Sequence, residues 1–482
     1  MNDEYRLRKF LKRADGSPPP SAPDWSSVAA RGRRSLRIRR IVLAVATLTA
    51  VAGSALIAAR ITGDVRPPAD RPGPYPSPSP GEVNRRCPEA GVVSPGPLGV
   101  VVFRSDEDLR VVDVAAAEER VLARAIPFEE TTNPVRVSPD GRWVSFGPGR
   151  FVPVAGGEVC APFGRRLSEV AWLPEGNFVA TTRRGGFVRG NVRGVVSELL
   201  PAGWGASGYA LDPGTGVAAV TRLVRAGDGR VREVGLYLVD TATGESSELV
   251  DIPPRRAVEP RVAAWAGAGT RMLYWNAPAL AASLAADGAP LMVVDTTTGG
   301  TSRVADGMLM SDAQIASCRD GDATVVSVGG GREITYGKEL AAVRPPSYLA
   351  VPLRSAPPGN AFWPDCFDGY VAATVTKDQP ERRFGTAPRR IEIFPLDPAS
   401  PAPPAAIDHG DGAAYEFARF SRRHRGEDQV LLYVRRVRRP TGPAQLWISL
   451  PGGRRRALAD LGRVGSYYGD YGYDGRLFWY QP

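Results

Sequence analysis

The chain has 482 residues, a formal net charge of +10, four cysteines and only two histidines. Residues 1–40 carry a net charge of +7 and the rest of the chain +3, so the large remainder lacks the basic surface typical of nucleic-acid-binding proteins. The scarcity of histidine also argues against most metal-hydrolase and histidine-based acid–base chemistry.

Residues 1–16 predict a short amphipathic helix. Asp3 is a suitable N-cap, and Leu7, Phe10 and Leu11 fall on one helical face, opposite basic side chains. Such a helix can rest on the inner leaflet of a membrane or dock a cytosolic partner, and the sequence leaves both readings open. The proline run that follows ends any helix.

Residues 41–59 form a stretch of nineteen residues without a charge. At about 1.5 Å of rise per residue, a helix of this length just spans the hydrocarbon core of a bilayer. The preceding Arg31–Arg40 holds six arginines in ten residues, and such a flank favours the cytoplasm. We predict a cell-membrane protein with a basic cytoplasmic tail at residues 1–40, one transmembrane helix at residues 41–59, and everything after it exported.

The apolar segment has a second interpretation as a cleaved export signal. Arg33–Leu36 loosely resembles a twin-arginine signal, and the small residues Ala55, Ala58 and Ala59 are compatible with cleavage. The long basic region and the arginines that adjoin the apolar core favour an uncleaved anchor. The large domain is exported in either case.

Residues 60–86 are predicted to be a linker. Residues 63–82 contain seven prolines, many of them alternating with serine or glycine. This pattern favours extended polyproline II at about 3.1 Å per residue, which makes a semi-rigid stalk of roughly 50–60 Å. The stalk would hold the exported domain away from the membrane.

Residues 87–482 repeat one pattern: a short apolar strand, a turn rich in Asp, Gly and Pro, and a second apolar strand. The copies are RVSPDGRWVSF (Arg136–Phe146), Glu169–Thr181, Tyr209–Thr221, Val262–Trp275, Ala316–Val328, Trp363–Val375, Phe417–Val434 and Tyr473–Tyr480. Pro fixes φ, Asp bonds its own downstream backbone and Gly adopts positive φ, so each copy predicts a hairpin. We expect both strands of each hairpin to be buried.

Several copies continue into a second hairpin, as at Gly235–Val250, Leu291–Ala305 and Gln445–Leu458. Two hairpins in succession make a four-stranded antiparallel sheet. The copies recur about every 35–57 residues, which brackets the spacing of propeller blades.

The stretch SPDGRWVSF resembles the blade motif of TolB-like propellers, distant relatives of the WD-repeat proteins. The resemblance covers about residues 98–482. It is weaker at Phe417–Val434, where SRRHRGED replaces the compact turn. It implies an all-β propeller of four-stranded antiparallel blades. We predict eight blades, with seven as the alternative, and expect a split blade that joins Gly465–Tyr480 to Gly99–Val114 and closes the ring.

All four cysteines fall on the exported side, where an even number predicts disulfides. Four cysteines allow three pairings. In the propeller register that the resemblance implies, Cys318 and Cys366 occupy matching places in the first strands of adjacent units and can face one another. Cys87 and Cys160 are then left to pair, which would pin the linker to the domain.

The sequence contains no motif that predicts catalysis. A Gly-x-Ser-x-Gly elbow is absent, the nearest stretch being Gly205–Gly208, and Gly329–Glu339 lacks phosphate-loop spacing. His409 and His424 lie in polar surroundings and are interpreted as loop residues. We therefore predict no catalytic residue, no cofactor and no metal.

Two weaker signals remain open. Short Asp/Gly turns at Asp320, Asp322, Asp408 and Asp411 offer oxygen ligands for Ca²⁺, although hairpin turns explain the same residues and no twelve-residue calcium loop is present. The aromatic run Ser466–Tyr480 is either a binding platform or the packing of the closing blade, and we favour packing.

Three functions are compatible with this organisation. The first is a monomeric, membrane-anchored binding module for a protein or an envelope polymer, with no nucleic acid as partner. The second is a transmembrane regulator with a propeller sensor; its layout resembles that of anti-sigma regulators, but the tail lacks their zinc signature. The third is a lyase or glycosidase acting in the propeller channel, which would need convergent carboxylates or Tyr, His and Arg groups.

Overall fold

The computed structural model describes part of the chain. The described residues are 86–482 except 92–94, 106–107, 125, 127–133, 165–166, 195, 213, 228–230, 253–257, 267–268, 279–288, 309–313, 319–322, 330–337, 354–359, 377–388, 398–406, 408–411, 438–442 and 463–476. Within them, no helix combines the length and the apolar character that a membrane crossing requires. The predicted tail, transmembrane helix and nearly all of the linker lie outside the described residues.

The described chain consists of thirty β-strands joined by turns and two 3-10 turns. The first fifteen strands are β1 (Val100–Ser105), β2 (Asp108–Asp113), β3 (Glu119–Ala123), β4 (Arg136–Val137), β5 (Trp143–Phe146), β6 (Arg150–Pro153), β7 (Leu167–Trp172), β8 (Phe178–Thr182), β9 (Phe187–Gly190), β10 (Val196–Leu200), β11 (Ala206–Asp212), β12 (Val217–Arg225), β13 (Val231–Asp240), β14 (Ser246–Asp251) and β15 (Val258–Ala266). The others are β16 (Arg271–Pro278), β17 (Ala289–Asp295), β18 (Thr301–Met308), β19 (Ile315–Ser317), β20 (Thr324–Gly329), β21 (Lys338–Val343), β22 (Ala350–Pro352), β23 (Asn360–Phe367), β24 (Tyr370–Thr376), β25 (Arg389–Pro395), β26 (Ala414–Phe420), β27 (Leu431–Arg436), β28 (Ala444–Ser449), β29 (Arg455–Gly462) and β30 (Leu477–Tyr480).

These strands form eight antiparallel sheets, which are the blades of a β-propeller. Blade 1 contains β30 and β1–β3, and blades 2 to 8 begin at β4, β7, β11, β15, β19, β23 and β26. In blades 2 and 7 the described strands number three, and one bridge each, Phe151 with Cys160 and Ile391 with Ile407, marks the place of the fourth. The prediction of eight four-stranded blades is confirmed.

Blade 1 closes the ring, as the sequence predicts. The carboxyl-terminal strand β30 pairs with β1, from Val100 opposite Tyr480 to Phe103 opposite Leu477. The indole of Trp479 donates to the carbonyl of Leu98 at 2.8 Å. Of the aromatic run at Ser466–Tyr480, the described part Leu477–Tyr480 packs into the cores on both sides of blade 1, and the rest lies outside the described residues.

Because neighbouring strands within a blade are antiparallel, the connections alternate between two faces of the ring. Connections from the first to the second strand and from the third to the fourth lie on one face, which we call the turn face. Connections from the second to the third strand, and from one blade to the next, lie on the opposite face, which we call the loop face.

The hydrophobic core lies between blades rather than within one. Val179 and Phe187 of blade 3 pack with Ala218 and Val220 of blade 4, for example. A sheet that meets a neighbour on each side must be apolar on both faces, and this explains the uninterrupted apolar second strands. Some first strands depart from the expectation of full burial: β11 is half-buried over most of its length, because the innermost strand borders the central channel.

Both disulfides join the pairs of cysteines that the sequence predicts. Cys318 is bonded to Cys366, which ties the inner strands of blades 6 and 7 together, and Cys87 is bonded to Cys160 at the outer position of blade 2. The second bond fixes the beginning of the described chain to the ring.

Candidate functional site

Blades 7 and 8 meet at two clusters of polar residues, one at each face of the ring. At the loop face, the buried carboxylate of Glu416 lies 3.4 Å from Nη1 of Arg389 and 3.4 Å from Nε of Arg436. All three side chains are almost completely buried. The guanidinium of Arg389 also lies over the ring of Trp363, at 5.6 Å from its centre.

This loop-face cluster holds the bases of two long connections. Arg389 is the first residue of β25, directly after the connection from β24, and Arg436 is the last residue of β27, directly before the connection to β28. Two cations that share one buried carboxylate keep their strands in a fixed relation, since breaking a buried pair costs about 3–5 kcal/mol. The cluster therefore fixes the strand ends that these two connections join.

The loop-face connections differ in length around the ring. Between the second and third strands, blades 1 to 4 use two to five residues, whereas blades 5 to 8 use ten, eight, twelve and seven. Hairpins need only two to five residues. The additional length of residues 279–288, 330–337, 377–388 and 437–443 is not needed to reverse the chain.

At the turn face, Asp365 joins the same two blades. Its Oδ2 accepts the backbone N–H of Phe420 at 2.7 Å, and its Oδ1 accepts Nη2 of Arg422 at 2.6 Å. Nη1 of Arg422 donates to the carbonyl of Cys366 at 2.6 Å, so the pair is also tied to the disulfide between blades 6 and 7.

The carboxyl end of the chain enters the same cluster. Gln481 accepts the backbone N–H of Arg422 at 2.7 Å, and its amide donates to Oγ of Ser421 at 2.9 Å. The Ser421 oxygen also lies 2.7 Å from Nδ1 of His424 and accepts the N–H of Arg423 at 3.3 Å. Because the Ser421 oxygen already accepts two hydrogen bonds, its hydroxyl hydrogen is left to donate to Nδ1 of His424.

This Ser421–His424 contact is structural. Ser421 is completely buried, so a substrate has no access to its oxygen, and that oxygen is saturated by the amide of Gln481 and a backbone N–H. A nucleophile has to reach its substrate through a pocket or a cleft. The interpretation of His424 as a loop residue holds, with the addition that its ring is bound to Ser421.

Other residues that the sequence singles out lie apart from these clusters. His409 and the four aspartates of the predicted calcium alternative are outside the described residues. In the part of the chain that the structure describes, no group of three His, Cys, Asp or Glu side chains is arranged to hold a metal ion. Asp365, Glu416 and their arginine partners were missed by sequence reasoning, because the partners are up to 57 residues apart and follow no motif.

Several solved structures are similar to this chain. The dihydro-heme d1 dehydrogenase NirN in complex with DHE aligns over 78% of this chain and 76% of its own, at 14% identity and a TM-score of 0.49. A putative TolB from Agrobacterium tumefaciens aligns over 79% and 95%, at 11% identity and a TM-score of 0.29. An acylaminoacyl peptidase from Pyrococcus horikoshii aligns over 74% and 52%, at 11% identity and a TM-score of 0.39.

The fold is that of a β-propeller. TolB and peptidase propellers are among the structures that it resembles, and the chain spans about half the length of the peptidase. At these identities and scores the likeness carries no inference about activity. No protein-family model and no curated protein matches the sequence.

Proposed function

We propose that the chain is a single-pass membrane protein whose exported propeller binds a protein or an envelope polymer at its loop face. In this proposal residues 1–40 form the cytoplasmic tail, residues 41–59 the transmembrane helix, residues 60–86 the linker, and residues 87–482 a monomeric propeller domain. The amino-acid sequence supports the anchor, and the disulfides support an oxidising compartment.

The contrast in loop length around the ring is the observation that supports binding. The four blades with long connections, blades 5 to 8, are consecutive, so the strand ends that these connections join border one continuous half of the loop face. Two of the four connections begin or end at the buried arginines that share Glu416. Variable loops on a rigid scaffold are the usual place for recognition in proteins.

The export part of the proposal is tested by the thiol state in living cells. Intact cells are quenched with acid, and the protein is treated with a thiol-reactive polymer before and after reduction. We expect no modification before reduction and four modified cysteines after it. Four reactive thiols in unreduced protein would place the domain in a reducing compartment and contradict export.

The binding part is tested by shortening one loop. Residues 377–388 are replaced by the four-residue connection Arg183–Gly186 of blade 3, and photocrosslinks formed by the full-length protein in cells are compared. We expect crosslinks to the partner to be lost while thermal stability is retained. The matched control exchanges Thr241–Glu245 for the five-residue turn Thr296–Gly300 on the opposite face. Crosslinks that survive the shortening, or that disappear equally in the control, would contradict a loop-face site.

A further inference from the structure

Blade 8 departs from the other blades at the turn face. From the first to the second strand, blades 2 to 7 use two to six residues, but β26 ends at Phe420 and β27 begins at Leu431, which leaves ten. This connection reads SRRHRGEDQV and contains three arginines. A hairpin of this kind closes with far fewer residues, so fold alone does not require the insertion.

A second arginine-rich turn lies beside the first. The connection from β28 to β29 continues into the sequence PGGRRR, and its 3-10 turn Pro451–Gly453 packs against the 3-10 turn Gly426–Asp428. The corresponding turns of blades 4 and 5, Thr241–Glu245 and Thr296–Gly300, contain no basic residue. Blade 8 therefore concentrates six arginines in two adjacent turns and the first two residues of β29.

Two of the six arginines have structural roles. Arg422 binds Asp365 and the carbonyl of Cys366, and Arg456 donates to the carbonyls of Val114 and Ala115 in blade 1. These bonds hold blade 8 to its neighbours on either side. The two arginines are not available to a ligand.

Three of the others point into solvent, and we call them the arginine patch: Arg423, Arg425 and Arg454. Arg423 and Arg454 are exposed, and the side chain of Arg425 is 63% exposed. Arg425 is oriented in advance, because its guanidinium lies 5.4 Å from the ring centre of Phe367 and 3.9 Å from Asp368. A guanidinium that is held in place loses less conformational entropy when it binds an anion.

We propose that the arginine patch binds a flexible polyanion that carries phosphate or carboxylate groups. Planar guanidinium groups match both anions through paired hydrogen bonds. A folded protein partner is less suitable, because interfaces of that kind centre on buried aromatic or aliphatic residues. Among the described residues the large hydrophobic side chains that are exposed, Leu349 and Val351, lie in blade 6. The patch thus forms a second interaction surface on the face opposite the long loops.

The experiment measures binding of the purified propeller to inorganic polyphosphate and to polyglutamate at low salt. The test variant replaces all three patch arginines, R423Q, R425Q and R454Q. The matched control removes the same charge from exposed arginines of blade 3, R183Q, R184Q and R193Q. We expect at least tenfold weaker binding for the test variant, little change for the control, and affinity that falls as salt rises.

The polymer that binds more tightly identifies the anionic group. Absence of binding by the unmodified protein, or an equal loss in both variants, would overturn the proposal. Stronger binding to phosphatidylglycerol vesicles than to either polymer would also overturn it, because the ligand would then be a lipid surface and not a flexible polyanion. Unchanged melting temperatures of both variants show that the arginines act outside the fold. The result is independent of the loop-shortening experiment, since the two surfaces lie on opposite faces.

Discussion

At the residue scale, the turns of this protein are held by aspartates that bind the backbone ahead of them. Asp240 and Asp295 occupy equivalent places in blades 4 and 5, and each carboxylate accepts the N–H groups of the second and third residues that follow. These hydrogen bonds favour the charged form. They hold the pKa of both carboxylates below the ordinary value of 3.8.

The first prediction concerns acid stability. The pKa of Asp295 is lowered by the backbone N–H of Thr298 and then by that of Thr297, with Arg271 nearby. A carboxyl whose pKa falls on folding stabilises the protein above pH 3.8, and this contribution is lost as the pH falls through the folded pKa. We expect the melting temperature of Asp295→Asn to fall less between pH 6 and pH 3 than that of the unmodified protein.

The control for this measurement is Asp306→Asn. Asp306 belongs to the same blade, is 75% exposed and is paired with Arg303 in a surface ion pair. Surface pairs contribute little, so this variant should follow the acid profile of the unmodified protein. If the melting temperature of Asp295→Asn changes with pH as it does in the unmodified protein and in Asp306→Asn, the Asp295 carboxylate does not contribute to acid sensitivity.

At the element scale, the closing strand β30 depends on a residue outside it. Gly99 precedes β1 with φ of +76°, and a Cβ at this position would overlap the carbonyl of Tyr480. Only glycine allows the backbone before β1 and the end of β30 to approach so closely. The hydroxyl of Tyr480 then donates to the carbonyl of Pro139 at 2.9 Å, which links blade 1 to blade 2.

The second prediction separates backbone strain from this close approach. Gly176 has φ of +82°, but a Cβ there would meet nothing within 4 Å. We expect Gly176→Ala to cost about 1 kcal/mol of unfolding free energy, from strain alone. Gly99→Ala should cost about 2–4 kcal/mol, because displacement of β30 adds to the strain. Chemical denaturation measures both values, and equal losses would show that β30 is not displaced.

The strands and hairpins are well predicted from the sequence, because turn chemistry is local. Pro139, Asp140 and Gly141 define a hairpin without reference to the rest of the chain. The exposure of β11 was not predictable in this way, since the channel exists only after the ring has closed. The junctions at Asp365 and Glu416 also escaped prediction, because their partners come from the next blade and local rules do not specify them.

At the scale of the whole molecule, two disulfides bind parts of the ring that are distant in sequence. Their cysteines are separated by 73 residues in Cys87–Cys160 and by 48 in Cys318–Cys366. The entropy that a cross-link removes from the unfolded chain grows only with the logarithm of loop length. The two bonds should therefore contribute similar stability despite their different loops.

The third prediction follows from that dependence. Replacing either pair by serine should lower the unfolding free energy by about 2–4 kcal/mol, with less than about 1 kcal/mol between the two variants. Denaturant titration under oxidising conditions measures both. The pairs differ in what they release: loss of Cys87–Cys160 should expose residues 86–98 to protease before unfolding. A loss confined to Cys318–Cys366 would show that the amino-terminal bond lies outside the cooperative unit.

Placing the innermost strand of blade 1 at the end of the chain has a consequence for biogenesis. Synthesis produces Val100–Ser105 before the other described strands, whereas their partner Leu477–Tyr480 follows all of them. Until β30 has been made, the nascent domain has an unpaired sheet edge, which is open to aggregation. A polypeptide truncated before β30 therefore never acquires a sealed circle, and a chaperone would have to shield that edge until β30 is available.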